Sequence, residues 1–596
     1  MEAKKPHQPA GRTGKKVDLK IFSRIFAYVK PYKGKFFAAV LITLSLSALA
    51  IARPLLIQKT IDKYIVAKDA DMLLNMILLL VGILVFEALL QYMNIVITSL
   101  LGQNIIRDMR KEIYSHIINL RTRYFDHTPI GMLVTRAVSD IEALSDVFSQ
   151  GFIVIAGDVV TLIVFVVAML LVNWQFALVV LTTVPLLLIA TNFFKRGVKT
   201  TFNDVRNAVA ALNTFVQEHI QGMKIVQVFN REEKEFEKFK EINNKHRDAN
   251  IRSIWYYSIF FPVVEILSSL AIGLLIWYAG ARIGEITISP GEITFFIMLT
   301  NMLFRPIRML ADRLNTLQMG LVSAERVFKV LDTNEQINDV GNLESSSLNG
   351  KIEFKDVWFA YNDEDYVLKN ISFSLNAGET VALVGATGSG KTSITNLLPR
   401  FYEHNKGSIL IDGEEISNYK LNNLRENIGI VLQDVFLYSD SILNNITLNN
   451  PEITKEQVIT AAKAVGAHDF IMNMPDGYNY NVKERGATLS AGQRQLISFI
   501  RAYVHNPALL ILDEATSSID TATEILIQKA TDTLTKGRTS IIVAHRLATI
   551  QKADRVIVLE KGEIVEQGSI QELLGKNGHF KKLYDLQFKE EIRKTA

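Results

Sequence analysis

Followed along the chain, apolar and polar positions change their pattern near the middle. Up to about residue 310, apolar residues gather in long stretches nearly free of charge. Beyond about residue 350, they come in short runs cut by glycines and charged residues. Six of the long stretches approach the roughly 20 apolar residues that a helix needs to cross a hydrocarbon core about 30 Å thick. They are 36–57, 73–101, 152–172, 176–194, 255–280 and 293–310. Asn173, Trp174 and their neighbours alone separate the third from the fourth. That spacing predicts a tight helical hairpin with Trp174 at a membrane interface.

The connections alternate in kind. Those after the first, third and fifth stretches are short. Those after the second and fourth run for roughly 50 residues and are rich in cations. One carries Arg107, Arg110, Lys111, Arg121, Arg123 and Arg136; the other carries Lys195, Arg196, Lys199, Lys224, Arg231 and Lys234. Lys- and Arg-rich connections stay on the cytoplasmic side, which places both there together with the N-terminus. An even number of crossings then returns the C-terminal half to the cytoplasm. Residues 104–120 and 203–218 keep apolar positions at helical spacing with no Gly or Pro, so the membrane helices are expected to extend well beyond the bilayer. Each extension meets a break, one at 124–131, where Pro129 and Gly131 stop a helix, and one near Gly222. Short helices there could press on a cytoplasmic domain; ordinary loops are the alternative reading.

Polar groups within the spans are costly in lipid and tend to face a cavity or a partner. Arg53, Glu87, Asp158, Glu265, Arg305 and Arg308 are therefore candidates for a transport path. For each of them singly, an ion pair or a place near the water interface is the simpler reading.

Composition narrows the picture. At 596 residues the chain exceeds one ordinary domain. A net charge of +4 is too small at this length to argue for nucleic-acid binding, and the excess Lys and Arg fits membrane orientation instead. The absence of cysteine excludes disulfides, thiolate metal sites and a cysteine nucleophile. The first 35 residues are polar and basic (Lys4, Lys5, Arg12, Lys15, Lys16, Lys20), with no short apolar core and cleavage site behind them. A disordered cytoplasmic tail is expected there rather than a cleaved leader.

The second half carries the chemistry. Short β-rich runs are expected at 351–354, Thr380–Val384, 428–432, 509–512 and Thr539–Val543. The second of these leads into Gly385-Ala386-Thr387-Gly388-Ser389-Gly390-Lys391-Thr392, which fits G-x-x-x-x-G-K-[ST] with a strand before it and helical sequence after it. Its glycines let successive backbone N–H groups converge on phosphate oxygens, and the helix N-terminus adds its dipole. Lys391 supplies a point charge for the β- and γ-phosphates, and Thr392 a hydroxyl for Mg²⁺. Roughly 120 residues later, Leu509-Leu510-Ile511-Leu512 delivers Asp513 and Glu514 to a strand end. Asp513 is the candidate Mg²⁺ ligand, and Glu514 the candidate general base for an attacking water.

Leu489-Ser490-Ala491-Gly492-Gln493 resembles L-S-G-G-Q, the signature of ATP-binding cassette (ABC) transporters, and lies just ahead of the Asp513-Glu514 strand as it does in that family. The resemblance covers nearly the whole chain after the N-terminal tail and implies further roles. Tyr361 would stack on adenine. Gly385, Thr387, Gly388, Ser389, Gly390, Lys391, Thr392 and Ser393 would hold the phosphates. Gln433 would sense Mg²⁺, and His545 would act at the γ-phosphate. Ser517-Ser518-Ile519-Asp520 resembles the D-loop, and Val482-Lys483-Glu484-Arg485-Gly486 the x-loop of exporters. Taken singly, Tyr361 could be a packed aromatic and His545 a satisfied histidine; the ordered set carries the reading.

The implied fold is an all-α, six-helix transmembrane domain of exporter type followed by an α/β P-loop nucleotide-binding domain. The boundaries expected are a tail at 1–24, the transmembrane domain at 25–325, a linker at 326–350 and the cassette at 351–590. The implied cofactors are ATP and Mg²⁺. The implied location is the cell membrane, bacterial inner membrane, with both termini cytoplasmic. Two cassettes of the family dimerise head to tail, so Ser490, Gly492 and Gln493 would act on a partner's nucleotide. Ala491 departs from the signature's first glycine. Heterodimeric exporters pair a subunit that keeps the catalytic Glu but has an altered signature with a partner lacking that Glu. The combination of Ala491 and Glu514 resembles the first kind and favours a heterodimer over a homodimer. The expected activity is ATP-driven export of amphipathic small molecules, lipids or peptides. The alternatives are an importer on the exporter fold, as for siderophores, and a membrane sensor that does not transport.

Overall fold

The computed structural model describes residues 19–587, less Ala67, 283–288, Asn338, 346–347, Asp363, 514–520 and 545–546. The chain divides into two compact units, one made of Met1–Ile118 with Ile130–Asn334 and the other of Asn119–Pro129 with Glu335–Ala596.

The helices of the N-terminal half are α1 (Leu19–Ala27), α2 (Lys33–Thr60), α3 (Ala70–Ile118), α4 (Thr122–His127), α5 (Ile130–Thr135), α6 (Ile141–Asp146), α7 (Ile153–Val172), α8 (Trp174–Leu181), α9 (Val184–Gln221), α10 (Met223–Val228), α11 (Glu232–Ala281) and α12 (Pro290–Leu331). Among the described residues, five stretches are long and apolar enough to cross a membrane: Lys30–Ile65, Ala70–Ile118, Ile153–Val172, Trp174–Gln221 and Glu232–Ala281. The sixth expected span, 293–310, lies within α12, where several side chains, that of Arg308 among them, lie outside those described. None of the most apolar stretch of α3 is buried within the chain, so that surface is left for lipid or a partner.

Packing in the first unit follows side-chain size. Gly197 of α9 lies so near α11 that an added Cβ would stand 2.1 Å from a Tyr256 ring carbon; a small residue there lets the two helices approach closely. Phe194 and Phe260 stack across the same pair with ring centroids 4.0 Å apart. Phe176 of α8 meets Phe296 of α12 edge to face at 5.4 Å, in the buried aromatic core. The expected hairpin between the third and fourth spans is present. Asn173 adopts an extended conformation, and its side chain accepts from the amides of Gln175 and Phe176, capping α8.

Three differences from the sequence reading have physical causes. The tail expected to be disordered contains α1, because Ile21, Phe22, Ile25 and Phe26 recur at helical spacing. Ile25 is buried, Phe26 meets Phe152 edge to face at 5.0 Å, and Arg24 makes a two-pronged contact with Asp332. The fourth span is broken at Thr182 and Thr183, where Pro185 at the start of α9 cannot donate to the preceding turn. Short π-helical turns occur at Ile61–Ile65, Arg136–Asp140 and Val147–Phe152; no motif in the sequence signals them.

The second unit is α/β. Its strands are β1 (Ile352–Ala360), β2 (Tyr366–Leu375), β3 (Thr380–Val384), β4 (Lys406–Ile411), β5 (Glu414–Glu415), β6 (Ile428–Val431), β7 (Leu509–Asp513), β8 (Thr539–Val543), β9 (Arg555–Glu560) and β10 (Glu563–Gly568). They build an antiparallel sheet in the order β2-β1-β4-β5 and a six-stranded sheet in the order β10-β9-β3-β8-β7-β6. In the larger sheet β9, β3, β8, β7 and β6 run parallel. β7 and β8 are buried at every position and β3 at four of five. A parallel strand covered on both faces reads as an unbroken apolar run, which is why these three were legible. The helix following β3 is α13 (Lys391–Leu397). The short helix at the first break, α4, belongs to this second unit.

Candidate functional site

Strand register gathers the site. Leu383 of β3 pairs with Val543 of β8, Val543 pairs with Asp513 of β7, and Leu512 of β7 pairs with Val431 of β6. All four strands therefore end at one sheet edge, the usual place for a ligand in an open parallel sheet. The phosphate loop leaves β3 there, Asp513 is the last residue of β7, and Gln433 follows β6 two positions on. Sequence separations of more than a hundred residues thus close into one site.

The loop 385–390 is shaped for an anion. Gly390 has φ +104°, and an added Cβ there would stand 2.6 Å from Leu368 Cδ2, so a larger residue meets both a strained backbone and a clash. Ser389 Oγ is buried without a hydrogen-bond partner among the described residues, a group that a phosphate oxygen would satisfy. Lys391 is buried, and its ammonium donates to the carbonyls of Gly385 at 2.8 Å and Ala386 at 3.0 Å. Burial lowers the Lys391 pKa, and the Asp513 carboxylate acts in the opposite sense. Thr392 is exposed at the start of α13. The Thr392 hydroxyl and the Asp513 carboxylate are hard oxygen donors of the kind Mg²⁺ takes.

Tyr361 follows β1, and its hydroxyl lies 3.1 Å from Ser393 Oγ of α13, which fixes its ring beside the phosphate loop. Ser490 caps helix Ala491–Val504 in a reciprocal box with Gln493, and Gly492 is buried in the first turn. Among the described residues, neither Ser490 nor Gln493 bonds to the phosphate loop. Residues 483–486 form a tight turn, with Lys483 and Arg485 at positive φ. Thr387 and Gly388 lie within the loop, and Gln433 is exposed. Glu514, the 517–520 segment and His545 lie outside the described residues.

Among the charged residues singled out in the spans, Asp158 of α7 is ion-paired with Arg313 of α12. The simpler, structural reading holds for that residue. Arg313 was not recognised from the sequence, where only its sign, opposite to that of Asp158, could have pointed to it. Glu265 and Arg305 are exposed, and Glu87 and Arg53 are intermediate. The side chain of Arg308 lies outside the described residues.

A phosphate-binding loop and an acidic strand end on one parallel sheet, joined to helices of membrane-spanning length and apolarity, define a membrane-anchored nucleotide-dependent ATPase. Residues 36–307 match the family model of the ABC transporter transmembrane region, and residues 368–517 match that of the ABC transporter. The chain is 36% identical over 572 residues to YknV, an uncharacterized ABC transporter ATP-binding protein of Bacillus subtilis (strain 168), covering 96% of this chain and 95% of that protein. It is likewise 36% identical over 572 residues to an ATP-dependent lipid A-core flippase of Syntrophus aciditrophicus (strain SB), with the same shares covered. The solved structure of a bacterial Atm1-family ABC exporter with ATP bound superposes with a TM-score of 0.76 at 26% identity, covering 93% of this chain and 98% of that one. The chain belongs to the ABC transporters. It has their exporter-type fold and is a transporter ATPase.

Proposed function

We propose that the chain is a half-transporter that couples ATP binding and hydrolysis to export of amphipathic small molecules, lipids or peptides by alternating access. The observation that carries this reading is one of order: apolar helices of membrane length lead into a unit whose phosphate loop and Asp513 share a sheet edge. Relatives named as a lipid A-core flippase and as a probable multidrug resistance transporter support export. Their bacterial sources support the bacterial cytoplasmic membrane, with both termini on the cytoplasmic side. We assign the tail, transmembrane domain, linker and cassette to 1–24, 25–325, 326–350 and 351–590.

In this reading Tyr361 stacks on adenine, the loop Gly385–Ser393 holds the phosphates, Glu514 orients and deprotonates water, and His545 contacts the γ-phosphate. Thr392 and Asp513, with Gln433 beside them, would hold Mg²⁺, which when bound neutralises phosphate oxygens. One chain has one phosphate loop and one signature, and Ser490 and Gln493 are committed to their own helix cap. A dimer in which the signature of one subunit covers the loop of the other completes each site. Moving a two-state transporter from 1:99 to 99:1 takes about 5.5 kcal/mol of differential binding, which the closure of two subunits on ATP would supply.

Ala491 bears on the choice of partner. It is exposed at the first position of its helix, where the backbone is ordinary helix and a Cβ carries no strain. Ala491→Gly is therefore expected to change kcat for hydrolysis by less than about threefold, since Gly costs only about 1 kcal/mol against Ala in a helix. A larger gain would mean that the methyl group limits the composite site; the combination of Ala491 with Glu514, rather than a cost of that methyl group, is what favours a heterodimer over a homodimer.

The test is hydrolysis by the chain reconstituted in lipid, alone and with a co-expressed partner subunit, with and without ethidium and a short-chain fluorescent phospholipid. Stimulation by either probe is the expected result. Hydrolysis insensitive to every amphiphile tried would favour the sensor reading. A folded sample that binds ATP but does not turn it over alone would call for a second, different subunit.

A further inference from the structure

The start of α2 carries a basic corner that neither the nucleotide site nor the packing of the first unit uses. A tight turn, Lys30–Tyr32, leads into α2. Lys30, Lys33 and Lys35 are exposed there, and among the described residues none of them is in an ion pair. The corner is built about Tyr32. Its hydroxyl donates to the Asp108 carboxylate of α3 at 2.5 Å and accepts from the Arg107 guanidinium at 3.0 Å. Lys35 lies over its ring, with Nζ 5.8 Å from the centroid. The carboxylates alongside are engaged, Asp108 by Tyr32 and Arg107 and Glu112 by Tyr28. Lys30, Lys33, Lys35 and Arg107 therefore gather at one place without a free counter-charge of the chain's own. Like charges so held repel, and a bound anion relieves the repulsion. Along α2 the face that carries Lys33 turns apolar. Phe37, Leu41 and Leu44 follow Lys33 at steps of four, four and three residues, so they share that face. Phe37 is 67% exposed and Leu41 66%, whereas Ala39 and Ile42 are buried. A cation followed by an exposed apolar track matches a molecule with a negative head and a hydrocarbon tail, and a free anion has no use for the track.

We propose that this corner binds an anionic phospholipid of the cytoplasmic leaflet, its headgroup phosphate among Lys30, Lys33, Lys35 and Arg107 and an acyl chain along Phe37 and Leu41. The inference rests on the reading that places the N-terminus in the cytoplasm. The first apolar stretch begins at residue 36, which puts the lysines at the depth of the headgroups. Cations just cytoplasmic of a membrane helix attract anionic lipid, each by about fivefold in affinity. A phosphate bridging Lys35 of α2 and Arg107 of α3 also ties the two helices together. Anything that binds the folded chain in this way stabilises it.

The test titrates the full chain in detergent with phosphatidylglycerol, and with phosphatidylcholine of the same acyl chains as control. Native mass spectrometry reads the first lipid bound, and thermal unfolding reads its effect on Tm. Phosphatidylglycerol is expected to bind more tightly than phosphatidylcholine, to raise Tm, and to lose affinity as salt rises. Lys33→Gln and Lys35→Gln should each weaken its binding about fivefold, and the triple variant Lys30→Gln, Lys33→Gln, Lys35→Gln about 100-fold. Lys33→Arg keeps the charge and should keep the affinity. Glycerol 1-phosphate, a headgroup without tails, should not compete at equal concentration. Equal affinity for the two lipids, displacement by glycerol 1-phosphate, or a folded triple variant that holds phosphatidylglycerol as the parent does would each overturn the proposal. Because the chain has no cysteine, Lys30→Cys can be labelled with a membrane-impermeant maleimide in vesicles of known orientation. Labelling from the outer face would overturn the orientation reading, and this proposal with it. Labelling from the cytoplasmic face, beside unaltered lipid binding in the triple variant, would overturn this proposal alone.

Discussion

Glu514→Gln is expected to lower the rate of ATP hydrolysis by about 100- to 10,000-fold, the usual contribution of a positioned general base. Glu514 follows Asp513, the buried last residue of β7, which pairs with Val543 across the sheet. The substitution preserves size and hydrogen-bonding capacity but cannot take a proton at neutral pH. ATP should therefore still bind, and a nucleotide-loaded dimer should accumulate. Phosphate release measured beside binding of labelled ATP separates the two effects. A variant that keeps more than about a tenth of the parent kcat would remove Glu514 from the role of base.

Lys391→Ala should act one step earlier, on binding. The ammonium is buried within the loop it serves and is already oriented by the carbonyls of Gly385 and Ala386. Its removal takes the ammonium from the cradle and leaves the Gly385 carbonyl without that donor, while the Ala386 carbonyl keeps the Ser389 amide at 3.1 Å. Hydrogen bonds to charged groups contribute about 1.5–3 kcal/mol each, so the ATP Kd should rise at least about 30-fold. Lys391→Arg should not restore it, because a planar fork does not replace a point charge on a short reach. Equilibrium binding to the reconstituted protein checks this, with thermal unfolding alongside to show that the variant folds. Affinity within about threefold of the parent would contradict the phosphate-loop reading.

The parts of this molecule legible in its sequence are those encoded by neighbours in the chain. β3 and the loop behind it read directly, because a buried parallel strand and a phosphate loop are both local patterns. β7 and β8 read for the same reason. The smaller sheet was mostly missed: β1 is bulged between Phe354 and Val357 and again before Phe359, which breaks the alternation that marks a strand. β9 and β10 carry no chemistry that would have drawn attention to them. Helix α1 was hidden by the basic residues around it, since its apolar face shows only at helical spacing. The contact between Tyr402 and Asp126 joins residues 276 positions apart, and nothing in either local sequence announces it. Family resemblance supplied the order of motifs, and strand register supplied the reason they meet.

The most direct test of ATP-driven export is accumulation of ethidium or a short-chain fluorescent phospholipid in inside-out proteoliposomes. The chain would be assayed alone, with a co-expressed partner, and as Glu514→Gln. The account expects uptake that requires ATP, collapses when the nonhydrolysable analogue replaces it, and is lost in Glu514→Gln. Uptake independent of ATP, or equal uptake by Glu514→Gln, would contradict it.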